Sequence, residues 1–193
     1  MNRSNKTIII FTLAVPFLLM ACLVSAGGPN PPTEHIEVSP EQAVQFEEVI
    51  TQGLNSQDGS FAFTLSETQI TSYLAYKLPD YPNPFTDIPQ VILRSGQIEI
   101  YGVIQQSIFI ANAKIVVTPI IDIDGKPTVE VTDADFGMFP APDGLLTTLS
   151  SIMEESFNLT KFLDESVSVG YSIESINIDN GLITISGNTH TAP

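Results

Sequence analysis

The sequence predicts an α+β domain built on long antiparallel strands, with helices on its N-terminal side. Three observations carry this. Segments of alternating apolar and polar residues are joined by Gly-containing turns at Ser95-Gly96, Asp124-Gly125 and Asn180-Gly181, the pattern of hairpins rather than crossovers. Stretches with apolar residues at helical spacing open on Ser followed three residues later by Gln, the signature of a capped helix start. The elements run α-β-α-β-β-β-β-α-β-β, which groups strands with strands.

The start of the chain lies outside that domain. Residues 1–6 carry Arg3 and Lys6, and residues 7–21, TIIIFTLAVPFLLMA, are almost wholly apolar. A basic region before a short apolar run reads as a secretory signal peptide, and the run is short for a membrane span. Two cleavage sites fit. Leu19-Met20-Ala21-Cys22 matches a lipobox, so that residues 1–22 form the signal and Cys22, the only cysteine, becomes a lipidated N-terminus on the outer face of the cell membrane. Val24-Ser25-Ala26 before Gly27 matches ordinary signal peptidase, which would release an extracellular or periplasmic protein. Residues 23–40 are rich in Gly and Pro and read as an extended tether; residues 41–193 read as a single domain.

All 22 acidic residues follow residue 33, with five of the seven basic ones, a net of −17. That charge disfavours nucleic acid and close docking on anionic headgroups. One cysteine allows no internal disulfide framework, despite export.

The first helix starts with Ser39 as N-cap, Pro40 at N1 and Gln42 at N3, a capping box; Ala43, Phe46, Ile50 and Leu54 form its apolar stripe, with Gly53 near its end. Phe61 to Leu65 alternate as a short strand. A second capping box, Ser66 and Gln69, follows at once, with Leu65 and Ile70 placed as a hydrophobic staple. Residues 78–89 hold four prolines and form a loop. Four strands come next. In the second hairpin a three-residue loop with left-handed Gly125 would pair Asp122 with Lys126 and Val117 with Val131, keeping the apolar faces together. Gly137, Pro140, Pro142 and Gly144 then lead to a helix over 144–157, with Leu145, Leu146, Leu149, Ile152, Met153 and Phe157 at helical spacing. Two strands joined by Asp179-Asn180-Gly181 close the chain.

Chemistry is sparse. The two histidines, His35 and His190, lie in the tether and near the end and read as solvated. No nucleophile elbow, Cys-His pair or HExxH occurs, so no catalytic residue, metal or cofactor is expected and the chain does not read as an enzyme. Asp122, Asp124, Asp133 and Asp135 invite a calcium site, but the remaining ligands of a calcium loop are missing. They read as turn and strand-edge residues, with Lys114 near enough to neutralise one. The apolar surplus has an ordinary reading as core, and a sharper one: a long curved antiparallel sheet wrapped around a long helix, leaving an apolar groove. Its wall would comprise Phe46, Ile50, Leu74, Ile100, Val117, Val131, Leu149 and Ile152. Tyr81 and Phe85 could touch the bilayer as a lip, although packing under the loop is the simpler reading.

The run Leu93-Arg94-Ser95-Gly96-Gln97-Ile98-Glu99-Ile100-Tyr101-Gly102 through VVTPIIDIDGKPTVEV, the step Phe136-Gly137-Met138-Phe139-Pro140 into Leu145-Leu146, and the ending Asp179-Asn180-Gly181 with LITISG resemble small exported bacterial proteins of the LmeA and YpmS type. FTLSETQITSYL is similar to their early strand and capped helix. The resemblance covers residues 61–187 as a pattern of turns and periodicity, without a catalytic motif. It implies a tubular lipid-binding (TULIP-like) fold, in which a long sheet rolls around a helix and encloses acyl chains. It also implies that Gly137 and Pro140 turn the sheet edge so that Leu145 to Phe157 lie in its trough. The expected function is therefore an exported, membrane-tethered protein that binds or transfers lipid. The alternative is a non-catalytic structural or interaction module of the cell envelope with a closed core. The expected partners are a lipid or other apolar ligand and the membrane, with no nucleic acid.

Overall fold

The computed structural model describes residues 24–25, 27–55, 59–80, 85–106, 108–123, 125–141, 144–145, 147, 150–151, 159 and 169–191. The elements are β1 (Val24–Ser25), α1 (Pro40–Leu54), β2 (Ser60–Ser66), α2 (Glu67–Lys77) with a 3-10 turn at Leu78–Asp80, β3 (Gln90–Arg94), β4 (Gln97–Gln106), β5 (Phe109–Ile121), β6 (Pro127–Asp135), β7 (Val169–Asp179) and β8 (Leu182–Thr191). Among the described residues the class is α+β, with the helices α1 and α2 and two sheets whose long strands pair antiparallel.

Local chemistry sets the helix starts. Ser66 Oγ accepts the Gln69 N–H at 3.3 Å while Gln69 Oε1 accepts the Ser66 N–H at 2.9 Å, the complete capping box. At α1 only half of the expected box forms. Ser39 Oγ accepts the Gln42 N–H at 3.2 Å, but the Ser39 N–H donates to Ser72 Oγ of α2 at 3.2 Å. A tertiary acceptor has taken the place of the local one. Gly53 lies inside α1 because a Cβ there would stand 2.9 Å from Phe63 Cβ, so glycine lets the helix lie close on β2.

The strands do not make one continuous sheet. One sheet has the order β1-β5-β4-β3, with β6 also beside β5; the other is β2-β8-β7. Backbone hydrogen bonds join them at their turns: the Gly96 N–H to Ile178 O at 3.1 Å, the Gly181 N–H to Leu93 O at 3.3 Å, and the Ile173 N–H to Gly125 O at 2.8 Å. Two hairpins turn on Ser95-Gly96 and Asn180-Gly181, all four residues at positive φ, the conformation of two-residue turns that follow strand twist. The β5–β6 hairpin has the expected register, with Val117 opposite Val131 and Gly125 at φ 73°. Asp122 closes it: its N–H donates to Lys126 O at 2.9 Å and its Oδ1 accepts the Lys126 N–H at 2.7 Å. The register shifts just beyond, where Val116 faces Asp133, leaving Thr132 as the extra residue of a bulge.

Apolar residues of α1, α2, β2 to β5, β7 and β8 form one contiguous core, Phe46, Phe63, Ile100, Ile115 and Ile185 among them. Phe85 is part of it: the residue bridges to Ile104, and a Cβ on Gly102 would stand 2.5 Å from its ring. It is therefore packed under the loop rather than forming a lip; Tyr81 lies outside the described residues. β8 runs past Gly187 to Thr191, so His190 is exposed on a strand, opposite Gly170, instead of in a free end.

The segment expected to be a stand-off tether is tied to the first sheet at both ends. Gly27 O accepts the Asn112 N–H at 2.9 Å, and the Ile36 N–H donates to Gln90 Oε1 at 2.6 Å. After β6, Gly137 has φ 64° and Leu145 is fully buried. Positions 145, 147, 150 and 151 are helical; the rest of the helix expected over 144–157 lies outside the described residues.

Candidate functional site

Six of the eight groove candidates fall among the described residues. Phe46 and Ile50 on α1, Leu74 on α2, Ile100 on β4 and Val117 on β5 keep only 1–6% of their surface exposed. The Phe46 ring stacks on Tyr73 with centroids 4.1 Å apart. A side chain lining a tunnel wide enough for an acyl chain keeps surface that a water-sized sphere can touch. These five keep almost none, and they belong to one contiguous buried cluster. They are brought together, but as packed core. Val131 differs: it is only half-buried. Cys22, Leu149 and Ile152 lie outside the described residues.

The difference at Val131 belongs to a pattern. Along the same face, Ile115 and Val117 are closed off, whereas Ile121, Val129 and Val131 at the turn end of the β5–β6 hairpin are half-buried against the core. β7 meets this hairpin where the Ile173 N–H bonds to Gly125 O, and its Tyr171 and Ile176 are half-buried too. Burial pushes the Tyr171 hydroxyl above its ordinary pKa, while its hydrogen bond with the Leu159 backbone works against that rise. All five are packed against the core while partly buried, three on the β5–β6 hairpin of one sheet and two on β7 of the other. Alternation in the sequence marks Val129 and Val131 as inward, but the same alternation marks Val117. What distinguishes them is what lies opposite, which is not written locally.

A charged cluster occupies the other face of the first sheet, and sequence reading missed it. Glu99 on β4 lies between its cross-strand partners Ile92 and Val116, all three buried. Lys114 Nζ approaches Glu99 Oε1 at 2.8 Å, Arg94 Nε approaches Oε2 at 3.5 Å, and the Tyr101 hydroxyl donates to Oε2 at 2.9 Å. Lys114 also stands 5.6 Å from the Tyr101 ring centroid. Burial alone would raise the Glu99 pKa, but hydrogen bonds from Lys114 and Tyr101, with the charges of Lys114 and Arg94, hold it below the ordinary value. Lys114 is raised by the same hydrogen bond, and Tyr101 by burial and by Glu99. Among the described residues no buried side-chain N or O lacks a partner, and the cluster ties β3, β4 and β5 together. It also corrects the expected partner of Lys114. The residue is paired in register with Asp135, yet its ammonium turns to Glu99. The only available signal was a Glu between isoleucines, and that reads equally as a solvated face.

Surface clefts between described residues accompany these features. One of about 150 Å³ lies between Pro31, Pro32 and His35 and the sheet at Gln90, Tyr101 and Asn112; another of about 300 Å³ separates α1 at Val44 and Glu47 from α2 at Tyr73, Tyr76 and Lys77. Among the described residues, no three His, Cys, Asp or Glu side chains come together as a metal set, and no helix is long and apolar enough to cross a membrane. Compared with known proteins, the chain matches no protein-family model, and no curated protein matches it in sequence.

Proposed function

We propose that this chain is an exported, membrane-tethered binding protein that holds an acyl chain or similar apolar ligand along the β5–β6–β7 wall. The observation that carries this is the change in burial along one sheet face, from Ile115 and Val117, closed by packing, to Ile121, Val129 and Val131, which are not. A wall of that kind suits ligand sites, which are concave and mostly apolar. The ligand would contact Ile121, Val129, Val131, Tyr171 and Ile176 rather than Phe46, Ile50, Leu74, Ile100 or Val117. Lipid attachment at Cys22 would keep the domain at the membrane that supplies the ligand. The resemblance to TULIP-like proteins points the same way. In this reading the chain moves or retains a lipid and catalyses nothing.

Burial of the five inner candidates favours a second reading, an envelope module with a closed core that acts only through its surface. Mass spectrometry of organic extracts from the purified full chain separates the two, with Val131→Trp as the blocking variant. Lipid in the wild type, lost in a Val131→Trp protein with an unchanged thermal melt, supports the wall. A wild type that carries no lipid and takes up no fluorescent fatty acid leaves the closed-core module.

A further inference from the structure

We infer that the domain rests directly on the bilayer, with the β4–β5 hairpin end as its membrane-facing pole and no stand-off tether between anchor and fold. This rests on the membrane attachment proposed above, but not on the ligand wall.

The argument starts where the chain leaves the sheet. β1 pairs with β5 in parallel, Val24 beside Phe109 and Ser25 beside Ile110. Gly27 O then accepts the Asn112 N–H at 2.9 Å. Gly28, at φ 108°, backs so closely onto the Asn112 carbonyl that a Cβ would collide with it. Residues 24–25 and 27–28 are thus laid along β5 from its first residue onward. Because the pairing is parallel, everything upstream of Val24 emerges at the hairpin end. Cys22 is two residues away, and two residues reach at most about 7 Å. The apolar run of residues 7–21 ends immediately before it. Whether attachment uses a lipid on Cys22 or the apolar run itself, whose last residue is three positions from Val24, the point of entry is within about 10 Å of the β4–β5 turn.

The chemistry of this pole fits a bilayer surface. Residues 23–33 and 102–112 contain no charged side chain, in a chain carrying −15 overall. The pairing brings these two neutral stretches together. Ile108 at the turn is 58% exposed. The carboxylates Glu34 and Asp87 line the cleft beside Val103 and Asn112, back along the strands from the tip. These two stretches therefore bring no carboxylate of their own against anionic headgroups where the anchor emerges. The other end of β5 contrasts with it: β5 is 13 residues long, so Ile123 beyond it is about 40 Å from the hairpin end.

The test uses the full chain, purified from the membranes of an exporting bacterium and reconstituted in phosphatidylcholine vesicles containing nitroxide-labelled lipid. With Cys22 acylated, Ile108→Cys supplies the only free thiol for an environment-sensitive fluorophore; Ile123→Cys, at a fully exposed position, is the control. Both replace exposed side chains, so folding is preserved. The label at 108 should lose most of its fluorescence to the nitroxide lipid while the label at 123 keeps its own. Equal quenching at both positions, or quenching at 123 alone, would overturn the inference. So would a soluble mature chain beginning at Gly27, since cleavage there removes β1. Quenching at 108 in a protein that takes up no fatty acid would leave this orientation standing and remove the ligand wall. Fatty-acid uptake without quenching at 108 would do the reverse.

Discussion

Glu67 Oε1 accepts the backbone N–H of Leu93 at 2.7 Å, and one helical turn later Thr71 Oγ1 accepts that of Val91 at 3.1 Å. β3 is an edge strand, and its outward N–H groups recur every two residues, about 6.6 Å. A helix turn rises about 5.4 Å, so two side chains four residues apart on α2 can meet two of them. α2 therefore stands where another strand would pair, which is why the first sheet ends at β3 instead of continuing into the second. Thr71→Val keeps the shape but leaves the Val91 N–H buried without an acceptor, and should cost about 1–3 kcal/mol in urea denaturation. Glu67→Gln, which keeps an acceptor, should cost less than Glu67→Ala. Unchanged midpoints for Thr71→Val and Glu67→Ala would contradict this account of the edge.

The Ser66 cap is local and should behave so. Ser66→Ala removes the acceptor for the Gln69 N–H and should cost about 0.5–2 kcal/mol. Ser66→Asp should retain most of the stability. Comparison of the three denaturation midpoints checks it.

The Glu99 cluster predicts a pH dependence with a definite sign. Its folded pKa is depressed, so its contribution is complete above the ordinary value of 4.5 and is lost as pH falls through the folded value. Glu99→Gln should be less stable than wild type at neutral pH, since Lys114 loses its counter-charge. The gap should narrow as the acid limb is descended towards about pH 3. A gap independent of pH would show that packing, not charge, makes the difference.

Packed core and half-open wall should respond differently to truncation. Ile50→Ala should cost about 2–5 kcal/mol, the lost burial plus a cavity. Val131→Ala should cost about 1 kcal/mol, because less of it is withdrawn from water. Equal large losses would mean that Val131 is core as well.

If Cys22 carries the anchor, Cys22→Ala should move the protein from the membrane to the soluble fraction or block its maturation. Fractionation with N-terminal sequencing reads this directly. Membrane association equal to wild type would end the lipid-anchor reading.

Short-range chemistry was legible in the sequence. The α2 capping box, the turns at Ser95-Gly96 and Asn180-Gly181, and the Val117–Val131 register each depend on residues close in the chain or joined by a short loop, where few geometries compete. The alternation that buries Ile98, Ile100 and Ile115 is of the same kind. Only the tertiary structure decided the rest. That Ser39 would use Ser72, that Lys114 would turn from Asp135 to Glu99, and that α2 would close the edge of β3 are choices among partners distant in sequence. So is the division between filled core at Ile50 and half-open wall at Val131, for an inward apolar residue is written the same way in both. Backbone preference acts within a few residues, whereas burial and charge pairing depend on whatever the completed fold places opposite.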